Sequence, residues 1–349
     1  MGPRTDGPPS LKKMILPALF VGGLFYVTMT RTPEPEPPQM VVQGSALGTT
    51  WTLKVVEAYT PERETELRAV IDASIAEVDV SMSTYRDDSE LIRLNAAEGL
   101  EPIAVSDMLG AVLSESFDIG AASGGALDVT VGPLVEAWGF GPDKRSVAPS
   151  EEAIAALQGR VGQDKVELTQ AGLTKASPAV SIDLSAIAKG YAVDRAVDAL
   201  ERSGVTNLML ELGGEIVARG HNRTGADWKL GIETPTESGR ELFHAVPLVD
   251  SAMATSGDYR QYYEVDGRRV SHLIDPRTAR PIEHKLASVT VIADRCSTAD
   301  GWATALSVLG EKEGMAVAES QGLKAYFIVR TPEGGFESRS TAAFDALTP

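Results

Sequence analysis

The chain has 349 residues, 43% of them apolar and 23% charged, with a formal net charge of −17. So large an apolar fraction excludes low-complexity disorder, and 33 glycines without a triplet period exclude a collagen-like fibre. The acid excess argues against nucleic acid as a partner, because phosphate binding needs clustered Lys and Arg, and a single cysteine, Cys296, excludes an intramolecular disulfide and Cys-rich zinc or iron–sulfur sites.

In chain order, Arg4, Lys12 and Lys13 precede an uncharged run from Met14 to Thr30, and Arg31 then opens a proline-rich stretch. The run is shorter than the roughly 20 apolar residues of an ordinary spanning helix, yet its terminal position and basic flank suit a signal anchor. The basic residues would stay in the cytoplasm and everything after the run would lie outside. No cysteine follows, so lipid attachment there is excluded, and Thr28, Met29 and Thr30 make a poor cleavage site. Pro33 to Pro38 reads as an extended spacer. Residues 1–40 are thus expected to be a cytoplasmic stub, anchor and linker, and residues 41–349 one catalytic body.

Within that body, residues 49–56 read as a strand. Thr60 caps a helix with Pro61 at its first position and Leu67, Val70, Ile71, Ile75 and Val78 on one face. Ser106 opens a second helix with Leu109, Val112, Leu113 and Phe117 inward, ended by Gly124-Gly125, and Ser150 caps a third around Ile154 and Leu157. A strand is expected over 179–184, followed by a helix through Ala192, Val193, Ala196, Val197 and Leu200 that Gly204 closes. Strands are expected at 207–212, 215–219, 228–233, 243–249, 261–265 and 269–274, with Asp266-Gly267 as a hairpin turn. The strand 287–293 leads into a helix from about Thr298, and 325–330 is the last strand. Strict strand–helix alternation fails between 207 and 293, so a doubly wound parallel sheet is excluded. The expected class is α+β, a largely antiparallel or mixed sheet flanked by helices.

Chemistry-bearing residues concentrate in short glycine-containing segments. Asp183 to Tyr191 (DLSAIAKGY) lies where a helix begins, so its free N–H groups can hold an anion and Lys189 can add a charge. An ordinary capped helix with a solvated lysine would look the same. Asp300 and Thr304 are four apart near a helix start, giving oxygen donors that suit Mg²⁺, or equally a capping Asp and a Thr bonded back to its helix. Such a cation would let an acidic protein hold a pyrophosphate. Four scattered histidines show no zinc spacing, but His272, in Ser271 to Pro276, is a candidate general base. Thr255 to Tyr259 reads as a tight turn carrying hydroxyls. The absence of G-x-G-x-x-G, Walker A and G-x-S-x-G patterns leaves dinucleotide-fold, P-loop and serine-hydrolase readings without support.

Taken together and in order, Ala46 to Thr49 (ALGT), Met82 to Tyr85 (MSTY), Leu127 to Leu134 (LDVTVGPL) with Trp138 to Gly141 (WGFG), Asp183 to Asp194 (DLSAIAKGYAVD), Leu212 to Gly214 (LGG), Thr255 to Tyr259 (TSGDY), Ser271 to Thr278 (SHLIDPRT) and Ala299 to Thr304 (ADGWAT) resemble the FAD:protein FMN transferase (ApbE) family. The resemblance covers about residues 44 to 330. It implies a periplasmic, Mg²⁺-dependent enzyme that cleaves FAD and attaches FMN through a phosphoester to a Thr or Ser of a target protein, releasing AMP. The targets it implies are subunits of membrane redox complexes of the Na⁺-pumping quinone reductase and Rnf types, or regulators of nitrous oxide reductase.

By that resemblance the metal is held by Asp300, Thr304 and the backbone oxygen of Ala186. FAD is contacted by Leu47, Tyr85, Ala126, Leu127, Asp128, Asp183, Lys189 and Ile274, and His272, Asp300 and Lys189 carry the catalysis. Three departures stand out: Ala279 replaces a common Gly, Leu47 a frequent Met, and the apparent helix anchor a lipid-bearing cysteine. Two other readings remain open at this point, an FAD pyrophosphatase giving FMN and AMP, and a non-catalytic flavin-binding assembly factor. Cys296 is expected to be a buried small residue.

Overall fold

Hydrophobic periodicity of two and of 3.6 alternates along the chain, and in the computed structural model most runs take the element that their period dictates. The described residues are Gly2, 36–141, 147–236, 241–259, 262–265 and 268–347. Residues Met1–Pro37 and Pro38–Pro349 form separate units. The anchor expected over 14–30 and the start of the linker lie outside the described residues, among which no helix is long and apolar enough to cross a membrane.

Strands β1 (Met40–Ala46) and β2 (Thr49–Val55) form a hairpin. Its turn is Leu47-Gly48, with φ of 50° and 73°, the left-handed pair that matches strand twist in a two-residue loop. Thr60 caps α1 (Pro61–Met82), accepting from the Arg63 N–H at 3.1 Å, and Leu67, Ile71, Ile75 and Val78 are buried. Helices α2 (Glu90–Ala96), α3 (Asp107–Ala122), α4 (Gly132–Ala137) and α5 (Glu151–Gln158) follow, with Ser106 capping α3 and Ser150 capping α5.

After the hairpin β3 (Val166–Thr169) and β4 (Gly172–Lys175), α6 (Ala188–Arg202) leads into β5 (Leu208–Leu212) and β6 (Glu215–Arg219). The hairpin β7 (Trp228–Glu233) and β8 (Leu242–Leu248) precedes β9 (Ala252–Gly257), and the hairpin β10 (Tyr262–Val265) and β11 (Arg268–Ser271) precedes the short pair β12 (Ile274–Asp275) and β13 (Arg280–Pro281). The chain then runs through β14 (Leu286–Ala293), α7 (Cys296–Ser320), β15 (Lys324–Arg330), β16 (Phe336–Ser340) and α8 (Ala342–Asp345).

Eight strands make one sheet in the order β1-β2-β5-β6-β9-β14-β15-β16, every neighbouring pair antiparallel. Alternate residues of each strand feed opposite faces. Leu208, Leu210 and Leu212, with Ala325, Phe327 and Val329, join Ile71, Val193, Val197 and Leu306 of the helices in the main core. Met209, Tyr326 and Ile328 face the other way and meet Trp228, Leu230 and Val246 of the β7–β8 hairpin and Phe344 of α8. Each such Leu or Val contributes about 1.5–3 kcal/mol of burial, so the pattern selects this layering over any one-residue slip of register. A third, smaller cluster holds Leu134, Trp138, Ile154, Ile274 and Ala279. The class is α+β with an antiparallel sheet, as the sequence implied.

Four expectations need correction. The strand expected over 179–184 does not form: residues 180–184 take no regular secondary structure and join no sheet, because their backbone is engaged elsewhere. Ile182 donates to Asn95 Oδ1 (2.7 Å) and accepts from Asn95 Nδ2 (2.8 Å), and the Asp183 N–H donates to the Val129 carbonyl (2.7 Å). The strand expected over 269–274 breaks at His272-Leu273, where the Leu273 N–H turns to Ser271 Oγ. Thr255 to Gly257 is strand rather than turn, paired with Ser288 to Thr290. Finally, β15 is not the last strand: β16, whose side chains are largely exposed, pairs with it at the sheet edge and lacks the apolar alternation that would announce it. Asp266-Gly267 lies outside the described residues, although the register of β10 on β11 is that of a hairpin.

Candidate active site

Helices α6 and α7 meet at their N-terminal ends, and the sequence makes that approach possible at Gly190. A Cβ there would run into the Cys296 carbonyl group, so only glycine lets the first turn of α6 lie against the start of α7. The junction is fixed by Asp194, which is buried and accepts from the Cys296 and Ser297 N–H groups at 2.9 and 3.0 Å, with Arg295 at 3.4 Å. It supplies from a neighbouring helix the cap that α7 lacks in its own sequence. Burial pushes the Asp194 carboxyl up, against the opposing pull of those N–H groups and Arg295.

One turn into α7 stands Asp300, 5% exposed. Its Oδ2 accepts from the Gly190 N–H at 3.0 Å, and its Oδ1 lies 3.9 Å from Lys189 Nζ, beyond hydrogen-bond reach. The helix-start N–H that the sequence offered to an anion is therefore taken by a carboxylate of the protein. Lys189 Nζ instead makes a close ion pair with Glu215 Oε1 at the start of β6. Burial pulls the Lys189 ammonium down, but Asp300 and Glu215 outweigh it and hold it above its usual value, so it stays charged. Burial, helped by Glu215, pushes Asp300 up to about 7, Lys189 opposing.

Glu215 is 3% exposed, and its Oε2 is buried without a hydrogen-bond partner. The register of β6 on β9 pairs only Ile216 with Met253 and Val217 with Ala252, so Glu215 and the Ser256 end of β9 stand where that ladder stops. From the other side Thr304, on the face of α7 that carries Asp300, brings its Oγ1 within 3.4 Å of Ser256 Oγ. The result is two carboxyl groups, one ammonium and two hydroxyls around the end of a sheet ladder.

The other sequence candidates have local settings of their own. Ile187, next to Ala186, and Leu127 both line the space beside Gly301. Ala126 and Leu127 are buried. Asp128 Oδ1 accepts from the Thr130 N–H (2.8 Å) and hydroxyl (2.6 Å), capping a short turn, and burial raises its pKa. Asp183 lies against that turn through its bond to Val129, and its Oδ1 accepts from the Ser185 N–H at 2.8 Å. Leu47 packs on the main core from its left-handed turn. Ile274 belongs to the third cluster, and His272, two residues before it, meets the Phe140 ring edge-on with centroids 6.3 Å apart. Tyr85 is 68% exposed just beyond α1. Cys296 is buried and its thiol is pushed well up by burial, which leaves it inert.

Sequence reading passed over Glu215, Asp194 and the contact made by Gly190. The sequence shows Glu215 directly after Gly213-Gly214 at the head of an apolar strand, which does not tell a paired carboxylate from a solvated one.

The residues fit a hard divalent cation. Asp300 Oδ1 is not taken by a hydrogen bond to Lys189, and Thr304 offers a hydroxyl on the same helix face, oxygen donors suited to an ion that keeps several waters. No group of three or more His, Cys, Asp or Glu side chains able to hold a metal occurs among the described residues.

Comparison with known proteins gives one family. Residues 47–327 match the ApbE family. The FAD:protein FMN transferase of Haemophilus influenzae is 44% identical over 318 residues, covering 88% of this chain and 91% of its own length, and that of Vibrio cholerae is 43% identical over 307 residues, covering 88% and 92%. Among solved structures, the flavin transferase ApbE from Vibrio cholerae superposes with a TM-score of 0.82 at 42% identity over 90% of this chain and 100% of its own. The apo flavinyl transferase ApbE of Pseudomonas stutzeri gives 0.82 at 38% identity over 90% and 98%. On the match of its sequence and its fold, the chain belongs to the ApbE family.

Proposed function

We propose that this chain transfers FMN from FAD to a Thr or Ser hydroxyl of a target protein through a phosphoester bond, releasing AMP, with Mg²⁺ held by Asp300, Thr304 and the Ala186 carbonyl. The observation that carries the proposal is the Lys189–Asp300–Glu215 centre, a charged site with oxygen donors, in a chain of this family. Bound there, Mg²⁺ would supply neutralisation of the pyrophosphate oxygens.

The chain's own residues account for the remainder. Lys189, kept charged by its carboxylate neighbours, stabilises the negative charge that grows on the pyrophosphate but cannot serve as a base. His272 takes the proton from the acceptor hydroxyl as its oxygen bonds to the phosphorus on the riboflavin side and the bond to the AMP phosphate breaks. Asp183 and Asp128 orient the ligand beside the turn they share, and Tyr85, exposed in the free protein, closes over a flavin or adenine ring. Residues 14–30 anchor the chain in the bacterial inner membrane with the body in the periplasm, and the acceptor is a subunit or regulator of a membrane redox complex.

The test is intact mass spectrometry of a candidate redox-subunit fragment incubated with this protein, FAD and Mg²⁺, beside an EDTA control. A metal-dependent gain of one FMN is expected. Free FMN and AMP without a gain in mass would establish hydrolysis instead. In the same assay Asp300→Ala should abolish turnover, and retained activity would overturn the metal assignment.

A further inference from the structure

Glu215 is the buried charge at the centre to which the reaction above gives no part. We propose that Glu215 is a positioning residue that draws the Lys189 ammonium into its own ion pair and so keeps Asp300 open to a divalent cation. This rests on the reading of Asp300 as a cation ligand. Lys189 sits between two carboxylates and closes on one of them: it pairs with Glu215 Oε1, while Asp300 Oδ1 is left at 3.9 Å. Because Asp300 Oδ2 is committed to the Gly190 N–H, Oδ1 is the oxygen that a cation would take, and it is also the oxygen that Lys189 would reach if Glu215 were neutral.

The second oxygen of Glu215 supports this reading independently. A carboxylate retained to knit the fold together would use both oxygens, yet Oε2 is enclosed without a partner in a residue 3% exposed. The side chain is thus held for its charge on Lys189 and not for a network. Its position also suits the task, since it projects from the first residue of β6, where the ladder to β9 has ended and a rigid strand fixes it.

The experiment measures Mn²⁺ binding to the full chain by electron paramagnetic resonance, without FAD and without turnover. In Glu215→Gln, Lys189 falls to Asp300 Oδ1, and the Mn²⁺ dissociation constant should rise at least tenfold. In the double variant Glu215→Gln with Lys189→Met the competing ammonium is gone, and binding should return to within about threefold of the parent. Unchanged Mn²⁺ binding in Glu215→Gln, or no recovery in the double variant, overturns the proposal. If Glu215→Gln does not fold, Lys189→Met alone decides: binding as tight as the parent or tighter agrees with the proposal, and weaker binding overturns it. Asp300→Asn run in parallel separates the two levels of argument. If it binds Mn²⁺ as the parent does, the cation reading itself fails, whereas loss of binding there with none in Glu215→Gln removes only the role of Glu215.

Discussion

Ala279 shows how one residue can carry strain that the sequence only hints at. Its φ is 58°, a left-handed conformation that costs a side-chain-bearing residue about 1–2 kcal/mol, and it is buried with its carbonyl accepting from Trp138 Nε1 at 3.0 Å. Ala279→Gly relieves the strain but loses a buried methyl worth about 0.8 kcal/mol and loosens the unfolded chain by about 0.4–1 kcal/mol, so its urea midpoint should move little. Ala279→Val adds bulk and branching to the same conformation and should cost roughly 2 kcal/mol or more. Gly190 is the opposite case. Gly190→Ala forces α6 from α7 and moves Lys189 away from Asp300, so roughly 1–3 kcal/mol of stability and most activity should be lost together. His272→Ala should lower the rate of transfer by about a hundredfold or more with the KM for FAD near that of the parent, and equal losses in both would make His272 structural. Lys189, Asp300, Thr304 and His272 became candidates through the family's motifs taken together, because a charge or a hydroxyl near a helix start, or a histidine at a strand end, equally suits an ordinary structural role. Glu215 did not, because nothing local distinguishes a carboxylate that faces a lysine 26 residues away from one that faces water.

At the scale of elements, helices were more legible than strands. Thr60, Ser106 and Ser150 each accept from an N–H three residues on, so the start of each helix is written in its first turn. Helix α7 has no such residue, and its beginning at Cys296, two residues ahead of the expected position, is set by Asp194 of α6. Asp194→Ala therefore leaves two buried N–H groups unsatisfied and should lower stability by roughly 2–4 kcal/mol in chemical unfolding, while also reducing turnover through Asp300. The same helix is interrupted at Gly310, where φ is 78° and ψ −177°, with the His284 ring packed against the break. Apolar runs alone misled at 180–184, where Asn95 satisfies the backbone that a sheet neighbour would otherwise pair.

Over the whole molecule, the cores described on the two faces of the antiparallel sheet lie within Pro38–Pro349. A chain beginning at Pro38 should therefore unfold in one transition at the midpoint of the full chain and keep FMN transfer in vitro, and it should leave the membrane fraction if residues 14–30 are the anchor. By itself, the sequence determined the α+β class, most helices, many of the strands and the family, because periodicity, caps and short motifs are local properties of a chain. Tertiary structure alone decided that Gly190 touches Cys296, that Asp194 caps a helix 102 residues away, and that Glu215 and Asp300 share Lys189. Those contacts join segments whose spacing along the chain carries no information about their distance in space, and they exist only once the sheet and its helices are packed.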